Sequence, residues 1–123
     1  MRTEEFLKLS RAAVSELIHE RLSSGRLEPF AGQDRRRLPR WPFPGQVEIR
    51  PADDPHAPPT FFDCRNLSET GLGMSGSEGF EVGTRVELSL HLPEATLYGE
   101  GVVRYCMRVQ SRYMVGLEFL FDE

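Results

Sequence analysis

Two periodicities divide the chain. Through residues 3–23 apolar side chains recur at helical spacing: Phe6, Leu9, Ala13 and Leu17 fall on one side, and Leu7, Val14 and Ile18 widen the stripe. Thr3, followed by Glu4 and Glu5, offers an N-cap oxygen and acids for the first turn, while Ser23, Ser24 and Gly25 mark a stop. One amphipathic α-helix is predicted here, expected to pack on its own domain. From Gln46 onward the period is two. VELSLHL (86–92) sets Val86, Leu88, Leu90 and Leu92 against Glu87, Ser89 and His91, and VGLEFLF (115–121) sets Val115, Leu117, Phe119 and Phe121 inward. With VEI (47–49), TFFDCRN (60–66), residues 72–75 and TLYGEGVVR (96–104), the pattern predicts six strands, separated by turn clusters such as PADDPHAPP and SGSEGFEVG.

No helical pattern separates these strands, so they are expected to be antiparallel. Six short strands with one helix predict a small barrel, because closure removes exposed edges. Between helix and barrel, Gly25, Pro29, Gly32 and Pro39 followed by WPFPG read as a non-repetitive connector. The expected organisation is a helix over 1–24, a connector over 25–45 and a barrel over 46–123, forming a single domain. Trp41, at the barrel's edge, is expected to plug its mouth.

Composition narrows the function classes. The 123 residues suffice for one domain with a buried core. No apolar run approaches a membrane span, and MRTEEFLKLSR carries two acids where a signal peptide would be basic and then apolar. A cytoplasmic location without membrane insertion is expected. Cys64 and Cys106 make no C-x-x-C pair and His19, His56 and His91 are scattered, so no metal is expected. No carboxylate pair and no Ser, His and Asp set has catalytic spacing, which points to a binder without turnover. A net charge of -4 argues against an extended DNA or RNA surface. The positive charge is nonetheless uneven: Lys8 is the one lysine, and DRRRLPR at 34–40 places four arginines in seven positions.

The stretch NLSETGLGMSG (66–76) spaces Gly71, Gly73 and Gly76 as G-x-G-x-x-G. A dinucleotide site needs such glycines to open a helix within a strand-helix-strand unit, whereas here a turn and another strand come next. Gly71 is therefore read as a turn residue at positive φ, and Gly73 and Gly76 as points of close backbone approach or bending.

Two short motifs combine. Arg36-Arg37-Leu38-Pro39-Arg40 has the form R-x-x-x-R, and Asn66 to Gly71 has the form N-x-S-x-x-G. Together they resemble the signature of the PilZ domain, a bacterial receptor for the second messenger cyclic di-GMP. The resemblance runs from about residue 34 to 121 and takes in GEGVVRYC and YMVGLEFLF, similar to the family's last two barrel strands. It implies a mainly β fold, a six-stranded antiparallel PilZ-type β-barrel carrying the N-terminal helix, with cyclic di-GMP as ligand and no other cofactor. It implies Arg36 and Arg40 as principal ligand arginines, with Asn66, Ser68 and Gly71 on the barrel surface they close upon. Arg35, just ahead of the motif, is associated in the family with an intercalated ligand dimer, so two nucleotides per chain are expected. Arg104 stands where some relatives stack a residue on guanine, although a solvated strand residue is the simpler expectation.

The residue types suit such a ligand. Arginine forks onto phosphate or onto guanine O6 and N7 and stacks on a base, whereas lysine acts only as a point charge. Asn66 keeps the acceptor of the aspartate alternative without its charge. The expected mechanism is a loose arginine segment folding around the nucleotide and moving the helix tethered to it through 25–33, with an unidentified protein effector as partner. Many members of the family carry a helix after the last strand, where this sequence has two residues beyond Phe121; the N-terminal helix is the candidate cover for that surface. Two rivals stay open: a PilZ-like protein-protein adaptor without a nucleotide, as in pilus assembly, and a small barrel binding single-stranded nucleic acid. Intact arginines disfavour the first, and the acidic total disfavours the second.

Overall fold

The computed structural model of the chain describes residues 6–23, 41–54, 56–93 and 95–121. These form β1 (Phe6–Lys8), α1 (Arg11–Ser23), β2 (Trp41–Pro51), β3 (Thr60–Leu67), β4 (Gly71–Gly76), β5 (Arg85–His91), β6 (Thr96–Val109) and β7 (Arg112–Leu120). Strands β2 to β7 are the six expected from the period-two pattern. They lie in the order β6-β5-β2-β3-β4-β7, every pairing is antiparallel, and β7 returns to β6 to close a barrel.

Alternation fills the interior. Val86, Leu88, Leu90 and Leu92 are buried, while Glu87 is exposed and Ser89 and His91 are half-buried. Val115, Leu117 and Phe119 are buried as their period requires, and Phe121 packs against the same cluster from its edge. At the end of the barrel where β4 stops and β5 begins, the 77–84 connection brings Phe80 to a tilted contact with Phe62, ring centroids 5.8 Å apart.

The other end is capped by α1. Leu9, Val14, Leu17 and Ile18 belong to one continuous buried cluster with the barrel's side chains, so the helix packs on its own domain. Arg11 lies over the Phe121 ring at 5.4 Å, beside the end of β7.

The start of the helix differs from expectation. The helical spacing reaches back to Phe6, yet residues 6–8 form a strand, parallel to β6 with Phe6 opposite Thr96 and Lys8 opposite Tyr98. Sheet geometry outweighs local period here. The β6–β7 pairing begins only at Glu100, and β1 fills the edge that remains over 96–98, extended by Leu9 N–H donating to Tyr98 O at 2.7 Å. Phe6 is consequently 64% exposed and leaves the predicted stripe. Ser10, not Thr3, caps the helix: its Oγ accepts from Ala13 N–H at 3.0 Å.

Two strand boundaries also move. β2 begins at Trp41, inside the segment read as connector, and Pro42 and Pro44 are tolerated because the β2–β3 register shifts between Pro42 and Gly45. The β6–β7 hairpin runs on to Val109 and Arg112 and turns at Gln110, whose φ is 58°. The role given to the Trp41 side chain lies outside the described residues, as does the helix over 1–5.

Candidate functional site

The 68–71 turn sits on the rim that α1 caps. Ser68 N–H donates to Gly71 O at 2.8 Å, and the buried Ser68 Oγ accepts from Thr70 N–H (3.3 Å) and Gly71 N–H (3.2 Å) and lies 3.3 Å from Gly71 O as a donor. The serine in N-x-S-x-x-G thus builds the turn with its own hydroxyl.

Gly71 is needed for a reason other than the one expected. It is not at positive φ; among the described glycines that conformation belongs to Gly83. Gly71 is the first residue of β4, and a Cβ there would stand 2.1 Å from Leu117 O, so the constraint is the approach of β7's backbone. Gly73 and Gly76 follow the close-approach reading. A Cβ at Gly73 would meet the Asn66 carboxamide at 2.9 Å, and one at Gly76 the Phe62 ring at 2.5 Å. The three glycines lie in an antiparallel strand, which excludes the dinucleotide fold.

Asn66 is half-buried, opposite Gly73 on β4 and Pro42 on β2, next to a register shift between Cys64 and Asn66. Its Oδ1 is buried and has no hydrogen-bond partner among the described residues. An amide oxygen in that condition is costly unless something donates to it. Gly73 in turn pairs with Gly116 on β7, over which the Tyr105 ring lies, a Cβ at Gly116 meeting that ring at 2.1 Å. A floor of two glycines, flanked by an aromatic ring and a carboxamide, therefore runs outward from the turn. Sequence reasoning missed Tyr105 and Gly116; the signal was a glycine at an outward position of an otherwise regular strand.

Arg104 reaches the same surface: its Nε donates to Glu118, which is in register with Gly71. Asp63, Arg65 and Glu69 are exposed. Arg35, Arg36 and Arg40 lie outside the described residues. The strand after them opens with Trp41 opposite Leu67 and Pro42 opposite Asn66, so the arginine segment joins the barrel beside the turn. Among the described residues no group of His, Cys, Asp or Glu could hold a metal, and no helix is long and apolar enough to cross a membrane.

A family model described as PilZ domain matches residues 34–123. Among curated proteins none matches. Similar solved structures include the PilZ domain of Escherichia coli YcgR with c-di-GMP, at 15% identity and TM-score 0.58 over 71% of this chain and 79% of that one. The Bacillus subtilis inhibitor of motility, MotI/DgrA, is 23% identical with TM-score 0.58 over 71% of this chain and 43% of that one. The K. pneumonia MrkH complex with c-di-GMP is 18% identical with TM-score 0.59 over 74% and 46%. The chain thus spans less than half the length of the last two, and at these identities the likeness is one of fold.

Proposed function

The chain belongs to the PilZ domain family, and on that basis we propose that it is a receptor for cyclic di-GMP which passes the signal to a protein partner in the bacterial cytoplasm. The observation that carries this reading is the register of β2 on β3. Arg40 is bonded to Trp41, neighbouring Cα atoms are about 3.8 Å apart, and Trp41 faces Leu67, the residue before Ser68. The R-x-x-x-R segment is therefore attached to the barrel at the rim that carries the N-x-S-x-x-G turn, which supports a shared site.

In this reading Arg36 and Arg40 fork onto the phosphates and the guanine edges, and Arg35 serves a second, intercalated nucleotide. Asn66 presents a buried oxygen without a partner among the described residues, suited to a guanine N–H or to orienting an arginine. Ser68 and Gly71 keep the turn in shape. Two of the similar structures, the YcgR PilZ domain and MrkH, hold c-di-GMP, which supports the ligand class.

The output runs through α1. Ser15 Oγ donates to Glu69 Oε1 at 3.4 Å, so the helix touches the turn at the residue between Ser68 and Thr70. Residues 24–40 join the end of α1 directly to β2. Closure of that segment over a nucleotide pulls on the helix and alters the surface it offers a partner.

Calorimetric titration of the chain with cyclic di-GMP, and separately with cyclic di-AMP, tests the ligand. The reading expects micromolar binding of the guanine nucleotide, about two per chain, worth roughly 8 kcal/mol, and far weaker binding of the adenine one. Equal affinity for both, or no heat with either, contradicts it.

A further inference from the structure

Independent of any nucleotide, one side of β6 is left open toward its hairpin end among the described residues. β5 covers one side of β6 only as far as Val102, opposite Arg85, and two backbone bonds end that coverage: Gly83 N–H to Val103 O (2.7 Å) and Val103 N–H to Thr84 O (2.9 Å). β7 holds the opposite side on to Val109. Among the described residues no backbone bond reaches 104–109 from the first side. Along this six-residue edge alternate residues present unpaired N–H and C=O groups, a template for an added strand.

The side chains along it alternate in chemistry. Tyr105, Met107 and Val109 share the outer face, with Met107 57% and Val109 48% exposed. Cys106 and Arg108 share the other face, in register with Val115 and Tyr113. Of the hairpin's arginines, Arg104 pairs with Glu118 and Arg112 with Asp63 at 3.0 Å, whereas Arg108 has no carboxylate partner among the described residues. Its Nε donates to Gln110 O of its own turn at 3.2 Å. Val82, 65% exposed, stands in the turn whose Gly83 closes on Val103, at the start of the open edge.

We propose that the edge over 104–109 is a docking site for an extended segment of a partner protein, added as a strand whose residues alternate between apolar and acidic. The apolar ones continue the row of Met107 and Val109, and the carboxylates lie on the face of Arg108. Charge selects this occupant over a second copy of the chain. Self-pairing with Met107 against Met107 would bring both Arg108 side chains onto one face of a short ribbon with no carboxylate between them. A six-residue edge also offers less area than a stable dimer needs.

The test is an NMR titration of the full isotopically labelled chain, without nucleotide, using two synthetic heptapeptides that alternate valine with glutamate or valine with lysine. Saturable shifts of the amides of 104–109 with the glutamate peptide, absent with the lysine peptide, are expected. Arg108→Glu, on an exposed side chain, should weaken the glutamate peptide about fivefold and admit the lysine one. Three results overturn the proposal: no response, an equal response to both peptides, which would leave the arginines as guards against aggregation only, or concentration-dependent shifts of the same amides without peptide, which would give the edge to a second copy. Since no nucleotide is present, failure of the receptor reading leaves this experiment unaffected.

Discussion

Trp41 opens β2 in register with Leu67, one residue from the serine whose hydroxyl holds the 68–71 turn. That relationship puts the point where the arginine segment joins the barrel beside the turn. The consequences can be separated experimentally, because some residues at this rim serve the fold and others face outward.

Gly71 and Gly73 should behave differently when each is changed to alanine. At Gly71 the new methyl meets the Leu117 carbonyl, which is backbone, so a strand must shift, and a loss of about 2–3 kcal/mol is expected. At Gly73 it meets the end of the Asn66 side chain, which can rotate away, so stability should fall by less than about 1 kcal/mol while nucleotide affinity drops. Urea denaturation of both variants and calorimetry of Gly73→Ala check this pair.

Ser68→Ala removes an acceptor from Thr70 N–H and Gly71 N–H at a buried position. A cost of about 1–2 kcal/mol is expected, measured by urea denaturation. Hydrogen exchange at Gly71 should accelerate in the variant, since its amide loses the hydroxyl.

Leu17→Ala tests the capping role of α1. Leu17 is buried in the cluster shared by helix and barrel, so the substitution should cost about 2–4 kcal/mol. If the helix were a loose appendage, denaturation would register almost no change. Cyclic di-GMP should also alter hydrogen exchange within α1, because Ser15 touches the turn through Glu69.

Much of the fold was legible in the sequence, and the misses have physical causes. Val86, Leu88 and Leu90 declared their strand because one face of a barrel wall is dry, and alternation records that directly. Gly73 and Gly76 could be read as sheet positions because a turn and the VELSLHL strand, not a helix, succeed them in the chain, whereas Gly71, read as a turn residue, opens β4. The reason for Gly71 could not be read the same way, since the approach of Leu117 is a contact between distant segments. Phe6 and Leu7 fitted a helical stripe and became a strand because β6 had an edge to fill, which no local pattern reports. Pro42 and Pro44 disguised the start of β2, where a register shift accommodates them. Of the candidate site, Asn66, Ser68 and Gly71 do converge on one rim, whereas Tyr105 and Gly116 came to light only when β7 was laid beside β4.

The most direct measurement is a double-mutant cycle on cyclic di-GMP affinity by calorimetry, using Arg40→Ala, Asn66→Ala and the pair. If segment and turn close on one ligand, Arg40→Ala alone weakens binding on the order of thirtyfold, and the pair departs from the sum of the single losses by about 1 kcal/mol. Wild-type affinity in Arg40→Ala or in Asn66→Ala would mean that the two motifs do not share a ligand.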